Sequence, residues 1–332
     1  MSQDHMQYDP YRLNAMLMFR GRNHTVDSNL HNITNGSTCI GKSSTVFQIL
    51  SQLSGENMKF LLVTPVNGEC RNLVGINRDV AVYGTDPEHG KLLRINPFSF
   101  PPEMHICGHL DHLMDVFRDC LPMCATMPAI IREAVTRAYE EAGWDFQSSR
   151  NRHATPLYPD FADVLHQLDA VMEQLPYSGD IRETYQRVIS SGYRSLAQGI
   201  NERIFTSAEL TPPELFDQNV IVDLSQLDSD ETKPLILGLL VMKLKEYRMS
   251  SSAVTHAGSR HVVVLDEAHR LLNPIPTGLP SEPDNCSGMY IEMLTRSFAE
   301  MRIYSESLIL GAASAEHLCT SFIPNATLLC DP

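Results

Sequence analysis

The stretch Gly36-Ser37-Thr38-Cys39-Ile40-Gly41-Lys42-Ser43 constrains this chain more than any other, because it matches the pattern G-x-x-x-x-G-K-[ST]. A loop of this form wraps backbone N–H groups around phosphate oxygens. It sends its lysine, here Lys42, to the β- and γ-phosphates and offers its last hydroxyl, here Ser43, to Mg²⁺. Ser44 leads into Thr45-Val46-Phe47-Gln48-Ile49-Leu50, which reads as a helix whose positive dipole end reinforces the anion site. Beyond Gly55, Phe60-Leu61-Leu62-Val63-Thr64 reads as a strand of the buried type. Loop, helix and strand in this order imply an α/β protein that binds a nucleotide, with ATP and Mg²⁺ as the expected ligands.

A second anchor lies far downstream, where Val262-Val263-Val264-Leu265 runs into Asp266-Glu267. An apolar, β-branched run suits a central parallel strand covered on both faces. Carboxylates at its C-terminal end face the crevice where open α/β sheets bind ligands. Asp266 is thereby a candidate Mg²⁺ ligand, through water, and Glu267 a candidate general base for an attacking water. Taken alone, the same residues also fit a core strand ending in a solvated acidic turn.

The organisation follows from patterning. Residues 1–30 are polar and weakly patterned, and read as a leader left from a preceding module. A β-α-β unit carrying the phosphate loop occupies about 31–66, and the core continues to 104 through a Pro-rich connector containing Asn96-Pro97-Phe98. Residues 105–205 turn helical, with apolar residues three and four apart, as in Leu110-Leu113-Val116-Phe117. Strands and helices alternate again over 206–332. The stretch from Ser43 to Asp266 is too long for a minimal nucleotide-binding sheet, and a helical insertion at 105–205 accounts for it. A late acidic strand with Glu beside Asp favours a RecA-like P-loop core over a small GTPase, and no Asn-Lys-x-Asp base-reading motif occurs.

Composition narrows the setting. No run approaches 18 apolar residues, so no transmembrane helix is expected, and the N-terminus lacks the basic and apolar regions of a signal peptide. Eight cysteines in 332 residues do not form a disulfide framework. A cytoplasmic protein is expected. The net charge of −14 argues against a broadly basic nucleic-acid surface, although a few local Lys and Arg residues suffice to hold DNA in a ring pore.

Over nearly its whole length the chain resembles the HerA-type branch of the HerA/FtsK ATPases, a group that also takes in the conjugation and type IV secretion ATPases. The residues that carry the resemblance are the phosphate loop with Thr45-Val46, Pro65-x-x-Gly68-Glu69-x-Arg71, and Arg94-Ile95-Asn96-Pro97-Phe98. His109 through Phe117, Met127-Pro128 and Tyr139-x-x-x-Gly143-Trp144-Asp145 follow, then Val222-x-Leu224 with Lys233. Asp266-Glu267-Ala268-His269-Arg270-Leu271-Leu272 and Ala299-Glu300-Met301-Arg302-x-Tyr304 complete the set. The resemblance implies a hexameric ring that hydrolyses ATP and translocates double-stranded DNA, alone or with a nuclease or a Sir2-type defence protein. The motor of a conjugation or secretion channel is the alternative within the class.

The resemblance also implies a role for Arg302, as the arginine that stabilises the γ-phosphate across a subunit interface, with Arg270 as the second candidate. Three departures from the family pattern point to a third reading, an ATP-binding assembly subunit that does not hydrolyse. Cys39 replaces a glycine of the loop, where a side chain strains any φ > 0 backbone. Ala312-Ala313 replaces an Asp-Gln pair that senses the γ-phosphate, and Ser305 and Ser307 replace glycines. The small N-terminal barrel and the finishing C-terminal strands of relatives are also not evident, which suggests a fragment or decayed copy.

Two other constellations are weaker. His105, Cys107, His109, His112, Cys120 and Cys124 lie close together, but their spacing matches no common zinc pattern and fits helix surface and core better. Arg132, Arg137, Arg187, Arg194 and Arg203 are interspersed with acids and read as solvated helix faces.

Overall fold

The computed structural model describes residues 15–19, 22–26, 31–35, 50–51, 53–55, 58–66, 79–88, 90–121, 127–174, 192–227, 232–251, 261–272, 286–312 and 326–330. Their centre is a parallel sheet. Its strands are β3 (His31–Asn35), β4 (Lys59–Thr64), β5 (Val80–Gly84), β6 (Lys91–Leu92), β9 (Asn219–Asp223), β10 (His261–Leu265), β11 (Glu306–Ala312) and β12 (Ala326–Cys330). They lie in the order β12-β3-β11-β10-β4-β9-β5-β6. Every pairing is parallel, and one row of register partners, Leu328–Ile33–Leu310–Leu265–Val63–Val222–Tyr83, crosses the sheet. All the C-terminal ends therefore meet at one edge.

Strands covered on both faces have no polar alternation, and β4, β9 and β10 are buried along almost their whole length. Their period of two still sorts side chains to opposite faces. Phe60, Leu62, Ile221, Val262, Val264 and Ile309 pack with Leu50, Leu53 and Met58 on one side. Leu61, Val63, Val222, Val263, Leu265 and Leu310 join the larger cluster on the other.

That larger cluster is built by helices. They are α1 (Ile106–Cys120), α2 (Met127–Glu141), α3 (Phe161–Gln174), α4 (Gly199–Ile204), α5 (Pro212–Phe216), α6 (Thr232–Ser251), α7 (Ala268–Leu271) and α8 (Cys286–Met301). α6 is apolar on nearly every face, from Leu235 to Leu244, as a helix sandwiched between layers must be. Gly238 lets α1 approach it closely: a Cβ there would stand 3.0 Å from Val116 Cγ1 and 3.4 Å from Cys120 Sγ.

The ends of the helical segment are tied together. Ile95 bridges Phe205 in parallel, Ile95 N–H donates to Ile204 C=O, and Leu210 N–H donates to Arg94 C=O. Beside this seam Asn96 explains its place before Pro97: Oδ1 accepts the Phe98 N–H at 3.0 Å, and Nδ2 donates to Pro159 C=O at 3.2 Å. Glu209 accepts the Asn96 N–H and binds Lys243 Nζ, each at 2.9 Å, and Lys243 also donates to Ser99 Oγ at 2.6 Å. Connector and helix α6 are thus joined by a partly buried polar knot. The helical segment shares one apolar cluster with the sheet rather than having a core of its own.

Two features were not anticipated from the sequence pattern. Residues 1–30, expected to be a leader left from a preceding module, hold an antiparallel hairpin of β1 (Ala15–Phe19) and β2 (Arg22–Val26) that, among the described residues, does not pair with the main sheet. The helical segment also contains a short hairpin, β7 (Trp144–Asp145) with β8 (Arg150–Asn151), closed through Gly143 and Ser149 at positive φ.

Candidate active site

β3 ends at Asn35, at the C-terminal edge of the sheet, and the phosphate-loop sequence begins with the next residue, Gly36. Gly36, Ser37, Thr38, Cys39, Ile40, Gly41, Lys42, Ser43 and Ser44 themselves lie outside the described residues, as do Glu69, Arg71, Cys124, Arg187 and Ala313. The strand between β3 and the acidic strand β10 is β11, whose last residue, Ala312, is the register partner of Asn35. Loop and carboxylates thus come from strands separated by a single intervening strand, at the same edge.

Asp266 and Glu267 follow β10 without a gap. The Asp266 N–H donates to Val63 C=O at 3.0 Å, which extends the ladder by one residue. Asp266 Oδ1 accepts the Glu267 N–H at 3.0 Å. Glu267 then adopts φ 45°, ψ 46°, a left-handed conformation that costs a residue with a Cβ about 1–2 kcal/mol. Helix α7 starts there, with the Arg270 N–H donating to Glu267 C=O at 2.8 Å. Ala268 and Leu271 are fully buried and anchor this turn, which packs against α6 and β11. His269 projects toward the site: its Nδ1 is 3.4 Å from Glu267 Oε2, near enough for charge attraction though not aligned as a hydrogen bond. Arg270 is exposed on the same turn. His269 lay within the matched acidic block, but its contact with Glu267 had no signal in the sequence, because residues two apart on a regular helix do not face each other.

Arg302 is elsewhere. It is exposed and opens a single 3-10 turn, Arg302–Tyr304, immediately before β11. Glu306, the first residue of β11, pairs with His261, the first residue of β10. Arg302 is thus at the N-terminal edge of the sheet and Glu267 at the C-terminal edge, a strand length of roughly 15–20 Å apart. Within one chain the two are not brought together. Next to Arg302, Ile303 is 79% exposed, the most open large apolar side chain among the described residues.

Two buried ionic clusters were not legible in the sequence. At the N-terminal edge, Glu306 binds His261 Nδ1 at 2.7 Å and Arg248 Nε at 2.5 Å, and Arg248 also reaches Asp217 at 3.0 Å. Burial raises the Glu306 carboxyl, but His261 and Arg248 outweigh it and lower it below the usual range. Between α1 and α6, Glu246 is 1% exposed and accepts from His109 Nδ1 and His112 Nδ1, each at 3.0 Å. Burial alone would raise this carboxyl as well, yet His109 and then His112 hold it down at about 2. These contacts account for two histidines of the cysteine- and histidine-rich stretch. His105 caps α1 by accepting the Cys107 N–H, and the Cys120 thiol is buried against Pro234 C=O. Among the described residues no group of three such side chains is arranged to hold a metal ion. Arg132, Arg137 and Arg194 pair at the surface with Asp111, Glu133 and Asp169, and Arg203 is exposed on α4.

None of the described helices is long and apolar enough to cross a membrane. No protein-family model matches the chain, and no curated protein matches it. Solved structures do. VirB4 of Thermoanaerobacter pseudethanolicus superposes with a TM-score of 0.64 at 17% identity, over 98% of this chain and 86% of that one. The bacterial conjugative coupling protein TrwBdeltaN70 gives 0.56 at 11% identity, over 92% and 67%. Plasmid coupling protein TrwB in complex with ADP and Mg²⁺ gives 0.53 at 12% identity, over 92% and 69%. At such identities the likeness is one of fold. The chain has the α/β fold of the P-loop NTPases, in the form shared by VirB4 and TrwB.

Proposed function

We propose that this protein is an ATP-driven motor ATPase. The observation that carries the reading is the placement of Asp266 and Glu267 at the same sheet edge as Asn35, the residue before the Gly36–Ser43 sequence, with one strand between. The residue chemistry fits a magnesium nucleotide: Lys42 for the phosphates, Ser43 and Asp266 for Mg²⁺, and Glu267 for the water. Bound Mg²⁺ would supply charge neutralisation on the phosphates. Glu267 takes the proton of the attacking water as that oxygen bonds to the terminal phosphorus and the bond to the departing ADP breaks.

Arg302 acts on the site of a neighbouring copy, because its own site is a strand length away; a ring of copies, six in the HerA-type arrangement, would supply such a neighbour. The resemblance of the motifs supports movement of double-stranded DNA. The folds of VirB4 and of the coupling protein TrwB support a motor of a conjugation or secretion channel equally well, and a membrane-associated partner is its mark. A nuclease or Sir2-type partner belongs to the first of these.

The test is ATP turnover with and without double-stranded DNA, beside a Lys42→Ala control. DNA-stimulated turnover that the control loses supports the motor. Nucleotide binding without turnover favours the non-hydrolysing assembly subunit to which Cys39 and Ala312-Ala313 point.

A further inference from the structure

We infer that Ile303 is the apolar anchor by which one copy of this chain seats its Arg302 turn on the C-terminal sheet edge of a second copy. The inference rests on the reading of Arg302 as acting on a neighbour's site. The four residues from Arg302 to Ser305 form a short projection between two buried ends, Met301 and Glu306. The Ser305 N–H closes this turn by donating to Arg302 C=O at 3.0 Å. Ser305 itself holds φ 63°, a left-handed conformation uncommon for a residue with a Cβ. Such a backbone persists where the surroundings enforce it. Here Glu306, the next residue, is clasped by His261 of β10 and Arg248 of α6, which hold the base of the turn from two elements. On that base Ile303 is 79% exposed. A single exposed apolar side chain is ordinary on a protein surface. Ile303 stands apart because it adjoins Arg302 on a turn already set in one shape, so docking it costs little ordering. The acidic pair Asp266-Glu267 lies at the opposite edge of the same sheet. Copies joined through the two edges meet head to tail, with the arginine turn of one against the acidic edge of the next.

The test follows assembly of the full chain by sedimentation velocity, with Mg²⁺ and a slowly hydrolysed ATP analogue, and ATP turnover per chain over a dilution series. Ile303→Ser should raise the concentration at half-assembly roughly ten- to a hundredfold, as expected when one aliphatic side chain is lost from a contact. Its turnover per chain should fall in dilute solution and recover at high concentration. Ile303→Leu, which keeps the apolar volume, should behave like the wild type. Arg302→Ala should lack turnover at every concentration. An Ile303→Ser protein that assembles like the wild type overturns the inference and leaves the readings of the ATPase and of Arg302 standing. A lowered melting temperature of the dilute, unassembled variant does the same, because it places Ile303 in the packing of its own chain. A fully active Arg302→Ala protein, or a wild type that stays a single copy at every concentration, overturns the reading of Arg302 and the inference with it.

Discussion

The backbone of Asp266 is still bonded to Val63 in the sheet, at 3.0 Å, while its neighbour Glu267 has already swung out of it. Adjacent carboxylates are thus held by different means and should fail differently. Glu267→Gln should bind Mg-ATP normally and lose turnover by about 10²–10⁴-fold, the usual worth of a general base. Asp266→Asn should weaken binding in a Mg²⁺-dependent way. Equilibrium titration and phosphate release report the two effects, and a Glu267→Gln protein with normal turnover would remove the base from Glu267.

The left-handed turn makes Glu267 a place where stability has been given up. Glu267→Gly removes the Cβ strain but frees the unfolded chain, for a net gain of about 0.5–1 kcal/mol. The denaturant midpoint should therefore rise as activity disappears. A lower midpoint would show that the conformation is not strained.

Acid should loosen the contact between α1 and α6. The Glu246 carboxyl lies below its ordinary value of 4.5, at about 2, so its stabilising effect is complete above pH 4.5 and is lost as pH falls toward 2. The stability difference between wild type and Glu246→Gln should be a few kcal/mol at pH 7 and should shrink from pH 4.5 downward. Urea titrations at pH 7, 4.5 and 3 measure it, and a gap that widens in acid contradicts the assignment.

Two glycines of neighbouring helices should respond oppositely. Gly108 in α1 has open space where a Cβ would go, so Gly108→Ala should stabilise by up to about 1 kcal/mol. Gly238 in α6 faces Val116 at 3.0 Å, and Gly238→Leu should destabilise by about 1–3 kcal/mol or more. Thermal melts decide this. A stabilised Gly238→Leu would mean that α1 and α6 can separate at little cost.

If Arg302 serves a neighbouring copy, defects should complement. Arg302→Ala and Lys42→Ala proteins should each lack turnover, yet mixtures should regain part of it, because some interfaces combine an intact loop with an intact arginine. Phosphate release over a mixing series tests this, and a mixture as inactive as its components speaks against a shared site.

Sequence alone went furthest where burial is simplest. Phe60–Val63 and Val262–Leu265 are unbroken apolar runs, and both lie in central strands. The helical pattern at Leu110–Phe117 falls within α1. What escaped notice depends on neighbours far away in sequence. Nothing near His109 announces Glu246, 137 residues on, and nothing in Arg248 announces the register of Glu306 with His261. The β7–β8 hairpin is too short to show a period, and β1 and β2 sit in a segment too weakly patterned to announce them. Arg302 was legible as a residue type in a motif, but its distance from Glu267 is a property of strand direction.

The order of strands has a consequence for how the molecule comes into being. β3 leaves the ribosome early and β10 late, and the two remain unjoined until β11, later still, slips between them. A growing chain thus carries the phosphate-loop residues and, afterwards, the acidic pair, without possessing a place where the two cooperate. If the loop and the acidic pair form one site, that site is completed in one step, with a strand that contributes no carboxylate at the edge it completes.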